Sequence, residues 1–393
     1  MTTYGIDRLV RKEVSLGAIR ELLPPSNFIG LQIAPFLPVA TDDVIFEYIK
    51  GNLQEGLAPA RAEDAEAELA QKDALAYGQG RAALIDWALK DKYTASDVTR
   101  YRENLLIQQR LQGTISDLRF NEIGRTTEDF QARMAREDAL RRRKLDIRIE
   151  WLIMTALQTG ALSYNDGKIK FSVNYGRPGG QQDMVPAGGL WSATTCDPIG
   201  DLLAVKQSAR DTYGVELTEG ILSSRVVNNM WKSTRFLAAL GMPVVASGTT
   251  NVPLDPNYMG LRGYNPTGIL QLVSEATGIN FRVYDAYYRT RAIGSQTFAN
   301  TRFVADDKVI LYPNPGDFNG NAGTNGPVAG QVDDTQLGFA KTLTSPHPEG
   351  NWQAGFYEWE DETKDPWMHV RGSGIKAFPV FPYLEYSYVL DVL

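Results

Sequence analysis

The chain predicts an α+β fold, and three features carry that prediction. Thr126 to Gly160 reads as one long, heavily charged helix. Residues 196 to 312 alternate helical and strand patterns, as a compact α/β unit does. The closing residues, from Tyr383 onward, alternate apolar and polar positions with the period of a strand.

At 393 residues, with 43% hydrophobic and 10% aromatic side chains, the chain has the length for two or three compact units and the material for a substantial core. A net charge of -7 argues against tight, non-specific binding to nucleic acid, which needs a basic surface to displace counterions from phosphates. Cys196 is the single cysteine, so an intrachain disulfide and a cysteine-built metal site are both excluded. The opening MTTYGIDRLVRKEV lacks the apolar core of a signal peptide, and no run of 18 apolar residues occurs. A cytoplasmic site of synthesis and no membrane partner are expected.

Residues 1 to 45 set apolar patches among prolines, as in Leu22-Leu23-Pro24-Pro25 and Ile33-Ala34-Pro35-Phe36-Leu37-Pro38. That density of proline favours extended backbone. An arm carrying Phe28, Ile33 and Phe36 cannot cover its own apolar groups, so it should lie on the body of the chain or on a neighbour. Val44 to Ile49 reads as a strand. Residues 61 to 73 (RAEDAEAELAQKD) set Glu63, Asp64, Glu66, Glu68 and Asp73 against Arg61 and Lys72: a solvated surface, or a docking strip for a basic face. Arg81 to Lys92 and Ala95 to Gln112 read as helical from the spacing of Leu84, Trp87 and Leu105.

In the long helix Thr126 and Thr127 are N-cap candidates, Glu128 and Asp129 suit the first turn, and Gly160 suits the end. About 33 residues at ~1.5 Å each give a rod of roughly 50 Å, a structural beam rather than a pocket wall. Phe130, Met134, Leu145, Ile149, Leu152, Ile153, Ala156 and Leu157 form one apolar stripe that strengthens toward the C-terminal end. Seven basic and six acidic side chains nearly cancel around it. They read as i,i+4 pairs on a solvated face, or the run Arg141, Arg142, Arg143 and Lys144 meets acid on a neighbouring chain.

Beyond Gly160, Asn165-Asp166-Gly167 marks a hairpin. Asp197-Pro198 opens a helix to about Tyr213, Val215 to Leu222 reads as a strand, Arg225 to Leu240 and Thr267 to Ala276 as helices, and Phe281 to Tyr288 and Val304 to Tyr312 as strands. Pro313 to Gly330 is a long Gly/Asn/Pro-rich loop. From Tyr383 onward Leu384, Tyr386, Tyr388, Leu390 and Val392 should share one face, with Glu385, Ser387 and Asp391 on the other.

Two histidines and one cysteine assemble no catalytic triad, and His347 and His369 lack helical metal-ligand spacing. Gly176 to Gly180 (GRPGG) resembles no phosphate-binding fingerprint, so no cofactor is expected. The nearest approach to an active site is WQAGFYEWEDETKDPW, residues 352 to 367, where Glu358, Glu360 and Asp361 stand among aromatics as glycosidase carboxylates do. A strand with aromatics inward and acids outward produces the same string. His369 and Cys196 read as structural.

The order of arm, charged loop, long helix, hairpin, α/β unit and returning strands resembles the major capsid proteins of tailed bacteriophages, specifically the lambda-type capsid protein E family with its HK97-like fold. The resemblance is carried by the arm through Phe36-Leu37-Pro38, the Arg-rich helix ending in Trp151 to Gly160, Cys196-Asp197-Pro198, Asp306 to Leu311, and the closing Pro379-to-Leu393 segment. It implies an N-terminal arm (1–45), an E-loop region (46–112), a peripheral domain (113–195 and 313–393) on a spine helix and long sheet, and an axial domain (196–312) to which the last strand can return. It implies an icosahedral shell of pentamers and hexamers around weakly contacted double-stranded DNA, with scaffold, portal and decoration proteins as further partners. Subunit contacts are expected at Phe28, Ile33, Phe36, Glu63, Asp64, Glu66, Glu68 and Arg141 to Lys144, and no enzymatic activity is expected. The Lys, Asn and carboxylate that cross-link some shells of this fold find no match, so a non-covalent shell is expected. The alternatives are an encapsulin-like cage, or a carbohydrate hydrolase using Glu358, Glu360 or Asp361.

Overall fold

The computed structural model describes residues 12–50, 76–94, 96, 130–165, 169–230, 233–239, 244–247, 250–253, 266–291, 297–315, 331–332, 338–364 and 367–393. Helices Lys12–Glu21 and Gly30–Ile33 come first, then strands β1 (Phe36–Pro38), β2 (Asp43–Lys50), β3 (Ala76–Ala83) and β4 (Ile85–Thr94). The long helix, Phe130–Thr159, leads into the hairpin β5 (Ala161–Asn165) and β6 (Lys170–Asn174). Helix Pro198–Tyr213, β7 (Leu217–Leu222), helices Ser224–Met230 and Thr234–Ala239, β8 (Val244–Ser247), β9 (Thr250–Pro253) and helix Pro266–Thr277 follow. The remaining strands are β10 (Asn280–Val283), β11 (Tyr287–Arg291), β12 (Phe298–Arg302), β13 (Lys308–Pro313), β14 (Gln331–Val332), β15 (Lys341–Thr344), β16 (Phe356–Lys364), β17 (Trp367–Val380) and β18 (Tyr388–Asp391).

Two cores organise these elements. In the first, the apolar stripe of the long helix packs along β17, and Leu145, Ile149, Leu152, Ile153, Ala156 and Leu157 are all buried. Each leucine and isoleucine among them contributes about 1.5–3 kcal/mol when taken out of water. β17 is the hub of a five-stranded sheet: it pairs antiparallel with β4, β16 and β15, and β15 pairs parallel with β1. Thirty helical residues and fourteen strand residues both span roughly 45 Å, so beam and sheet match in length. Gly160 ends the helix at φ 68° with its N–H on the Ala156 carbonyl, a left-handed position that glycine takes without steric cost. The second core gathers helices Pro198–Tyr213, Ser224–Met230 and Pro266–Thr277 on the sheet β10-β7-β13-β18. Asp197 caps the first of them by accepting from Gly200 N–H, with Pro198 at its first turn.

Several sequence expectations are corrected here. Arg81 to Lys92 is not helical but forms the end of β3 and most of β4, because ten residues of β4 find a partner in β17. Of Ala95 to Gln112, only residue 96 lies among the described residues. Helix Lys12–Glu21 precedes the prolines in a segment expected to be extended. Arg225 to Leu240 is two helices: Ser233 Oγ donates to the Cys196 carbonyl and accepts from Phe236 N–H, starting a new helix. Phe281 to Tyr288 is divided between β10 and β11, and the strand expected from Val304 begins at Lys308. At the C-terminus Leu384–Tyr386 is a 3-10 turn, and Glu385 and Ser387 are buried along with the apolar residues. The chain does end in a sheet, with β18 paired to β13. The β5–β6 hairpin forms as expected, its Asp166-Gly167 turn lying outside the described residues.

Candidate functional site

Four consecutive helical residues, at 100° each, cannot share one face. The run Arg141 to Lys144 is therefore divided: Arg141 and Arg142 are buried, whereas Arg143 and Lys144 are exposed.

Arg141 reaches into the seam between helix and sheet. Its Nε donates to Ser373 Oγ at 3.1 Å, Nη1 to Asp91 at 2.6 Å, and Nη2 to Asp138, with Glu358 at 3.8 Å. Arg371, fully buried on β17, stands 3.4 Å from Asp138, 3.2 Å from Glu360 and 4.0 Å from Glu358. Two guanidiniums thus share two buried carboxylates, Asp138 and Glu358, while Asp91 and Glu360 close the rim. Burial works against the Arg141 charge, but Asp138 and Asp91 more than offset it and hold its pKa above the ordinary arginine value. The expected i,i+4 pairs on a solvated face are corrected: these pairs lie inside the molecule, where losing one partner leaves an uncompensated charge.

Arg142 and Glu150 turn toward the N-terminal segment. Arg142 pairs with Asp146 at 2.9 Å, donates to the Leu22 carbonyl at 3.2 Å, and lies 3.2 Å over the Phe356 ring. Burial lowers the Arg142 pKa to about 10 against the pull of Asp146, and raises that of Asp146 to about 6 against the pull of Arg142. Glu150 accepts from the N–H groups of Ile29 (3.1 Å) and Gly30 (2.9 Å) and from Tyr284 Oη (2.5 Å), yet burial still raises its pKa. The approach suits glycine: a Cβ on residue 30 would stand 2.4 Å from Glu150 Oε2, so the carboxylate or the segment would have to shift. Arg20 adds a third anchor through the carbonyls of Phe356 (3.1 Å) and Gly350 (3.0 Å). Farther along, the guanidinium of Arg148 sits 5.0–5.2 Å from the rings of Trp87, Trp151 and Tyr164.

The expected contact residues fall in different places. Phe28 and Ile33 are buried within their own chain, Phe28 edge-on to Phe303 at 5.4 Å, so the arm covers them on the body of the same chain. Phe36 is 37% exposed and edge-on to Phe356. Arg141 and Arg142 are buried and paired with carboxylates of their own chain. Glu63, Asp64, Glu66 and Glu68 lie outside the described residues. Arg143 and Lys144 remain available, with no hydrogen bond or ion pair among the described residues.

The glycosidase-like string is also corrected. On β16, Phe356 and Glu358 point one way toward the arginines, and Tyr357 points the other way to stack on His347 at 3.8 Å. Acids are thus not all outward: Glu358 is 0% exposed and Glu360 is engaged by Arg371. His369 and Cys196 are buried, and burial raises the thiol pKa. Among the described residues no group of His, Cys, Asp and Glu is arranged to hold a metal, and no helix is long and apolar enough to cross a membrane. Sequence reasoning did not single out Asp91, Gly30, Tyr284, Arg371 or Ser373, which reach their partners on the long helix across 50 residues for Asp91 and more than a hundred for the others.

A helical beam locked to a long sheet by buried ions, with an N-terminal segment fastened across both, is the architecture of a building block. The family model described as phage major capsid protein E matches residues 16–352, and the chain belongs to that family. Among solved structures, a phage-related protein from Bordetella bronchiseptica RB50 shares 12% identity and a TM-score of 0.51 over 98% of this chain and 97% of its own. A candidate prophage capsid protein of E. coli CFT073 shares 13% identity and a TM-score of 0.51 over 97% of both chains. No curated protein matches the sequence. The fold is the HK97-like capsid fold, and the chain is a phage major capsid protein whose place is the virion.

Proposed function

We propose that the chain assembles with copies of itself as pentamers and hexamers into the icosahedral head of a tailed phage, with no catalytic activity of its own. The observation that carries this reading is the capsid family match across residues 16–352. The buried lattice around Arg141 and Arg371 supports it: the charged groups that looked most like chemistry hold the subunit together. Residues 1–45 serve as arm, 46–112 as E-loop region, 113–195 with 313–393 as peripheral domain, and 196–312 as axial domain. A net charge of -7 suits a wall that encloses DNA and grips it weakly. Scaffold, portal and decoration proteins are its expected further partners, and the shell is non-covalent. Electron microscopy with sedimentation of the purified chain tests assembly: closed shells, tubes or capsomer rings are expected. Denaturing gels of those particles should show one monomer band, and a ladder of linked species would overturn the non-covalent claim.

A further inference from the structure

A cavity of about 250 Å³ opens where the N-terminal segment, the sheet β10-β7-β13-β18 and β15 come together. Its polar groups are unevenly matched. Arg282 on β10 has partners, since it donates to Gln32 Oε1 at 2.6 Å and faces Glu219 on β7 at 3.7 Å. Lys341, at the start of β15, has none: it makes no hydrogen bond or ion pair with the described residues, and burial holds its ammonium below the ordinary lysine value with no carboxylate opposing. Tyr312 on β13 is 1% exposed and stacks on Phe339 at 5.7 Å, yet its hydroxyl has no hydrogen-bond partner among the described residues. Glu219 and Arg282 both act on that hydroxyl electrostatically, so it stands at the polar side of the cavity that they line.

A buried donor without an acceptor and a desolvated ammonium without a counter-charge are both costly. One anion whose oxygens accept from both groups removes both costs. Its charge follows from the lining: Lys341 and Arg282 against Glu219 leave one positive charge, which a single negative charge neutralises. A phosphate group, with roughly 1.5–2 negative charges, would exceed that and crowd the Glu219 carboxylate, whose Oε2 is buried without a hydrogen bond. The cavity is also smaller than the roughly 300–1,000 Å³ of pockets for drug-sized ligands. Its occupant is therefore small.

We propose that this cavity binds a free short-chain carboxylate, its oxygens accepting from Lys341 Nζ and Tyr312 Oη and its hydrocarbon lying against Phe339. The proposal is independent of the assembly reading. Because the occupant touches elements that belong to different parts of the chain, binding should stabilise the folded subunit in proportion to ligand concentration.

The test titrates the full-length chain with butyrate, followed by saturation-transfer NMR and by the thermal unfolding midpoint, with 1-butanol and inorganic phosphate as comparison probes at matched ionic strength. Butyrate should bind saturably and raise the midpoint, 1-butanol should do neither, and phosphate should bind more weakly. Lys341→Gln and Tyr312→Phe should each weaken butyrate binding at least about tenfold. Without ligand both variants should unfold no earlier than wild type, since each removes a group that has no partner in the empty cavity. Saturating butyrate should also slow the reductive methylation of Lys341 by formaldehyde and cyanoborohydride, read by peptide mass spectrometry. Absence of saturable binding would overturn the proposal, as would equal affinity in wild type and both variants, which would put the butyrate elsewhere. Equal binding of 1-butanol would show an apolar site only, and tighter binding of phosphate would contradict the carboxylate assignment. A lower midpoint of either variant without ligand would show that Lys341 or Tyr312 is a structural group and would overturn its role in binding.

Discussion

Arg141 and Arg142 differ from Arg143 and Lys144 in almost nothing that sequence shows, yet the fold gives the two pairs opposite tasks. The first pair is buried among carboxylates, a backbone carbonyl and an aromatic ring, and joins the long helix to β4, β16, β17 and the N-terminal segment. The second is in solvent, without a partner among the described residues. A buried guanidinium is costly to leave alone, so stability depends on it; an exposed one contributes little to folding and is available for recognition.

The comparison is broken most severely from within. Glu358→Ala leaves Arg141 and Arg371 short of a buried counter-charge and should cost about 3–5 kcal/mol in urea unfolding of the unassembled chain. A loss no larger than that of an exposed mutant would show the network is better solvated than its burial indicates. Gly30→Ala should cost about 1–3 kcal/mol by pushing the segment off Glu150, and should expose residues 20–35 to limited proteolysis before the rest of the chain.

Asp146 sharpens the comparison through pH. Its pKa rises from 3.8 to about 6, first because it is buried, with Arg142 opposing. The folded state therefore holds a proton that the unfolded state has released between those values, and stability tied to this group is present below pH 3.8 and lost as pH rises through about 6. Wild type should gain on Asp146→Asn as pH falls from 7 to 4.5, by about 1–3 kcal/mol in matched urea titrations. An equal offset at both pH values would show that Asp146 titrates normally. Arg143→Ala and Lys144→Ala should shift stability by no more than about 0.5 kcal/mol, while weakening assembly.

How much of this was legible follows the range of the forces involved. The long helix, its Gly160 stop, the β5–β6 hairpin and the Asp197-Pro198 cap depend on neighbours in sequence and could be read there. β4 could not: Leu84 and Trp87 fit a helical interval, but Ile85, Trp87 and Leu89 fit a strand equally well, and the decision lies with β17 nearly three hundred residues later. The inward turn of Arg141 was hidden for the same reason, because Glu358, Arg371 and Ser373 arrive on distant strands. One local signal existed. Alternation on β16 puts Phe356 and Glu358 on one face, so a carboxylate beside an inward Phe already called for a buried cation.

Electron microscopy of the purified full-length chain, with sedimentation across a concentration series, tests the central claim most directly. Closed shells, tubes or rings of five and six copies are predicted; a uniform monomer at every concentration would contradict the account.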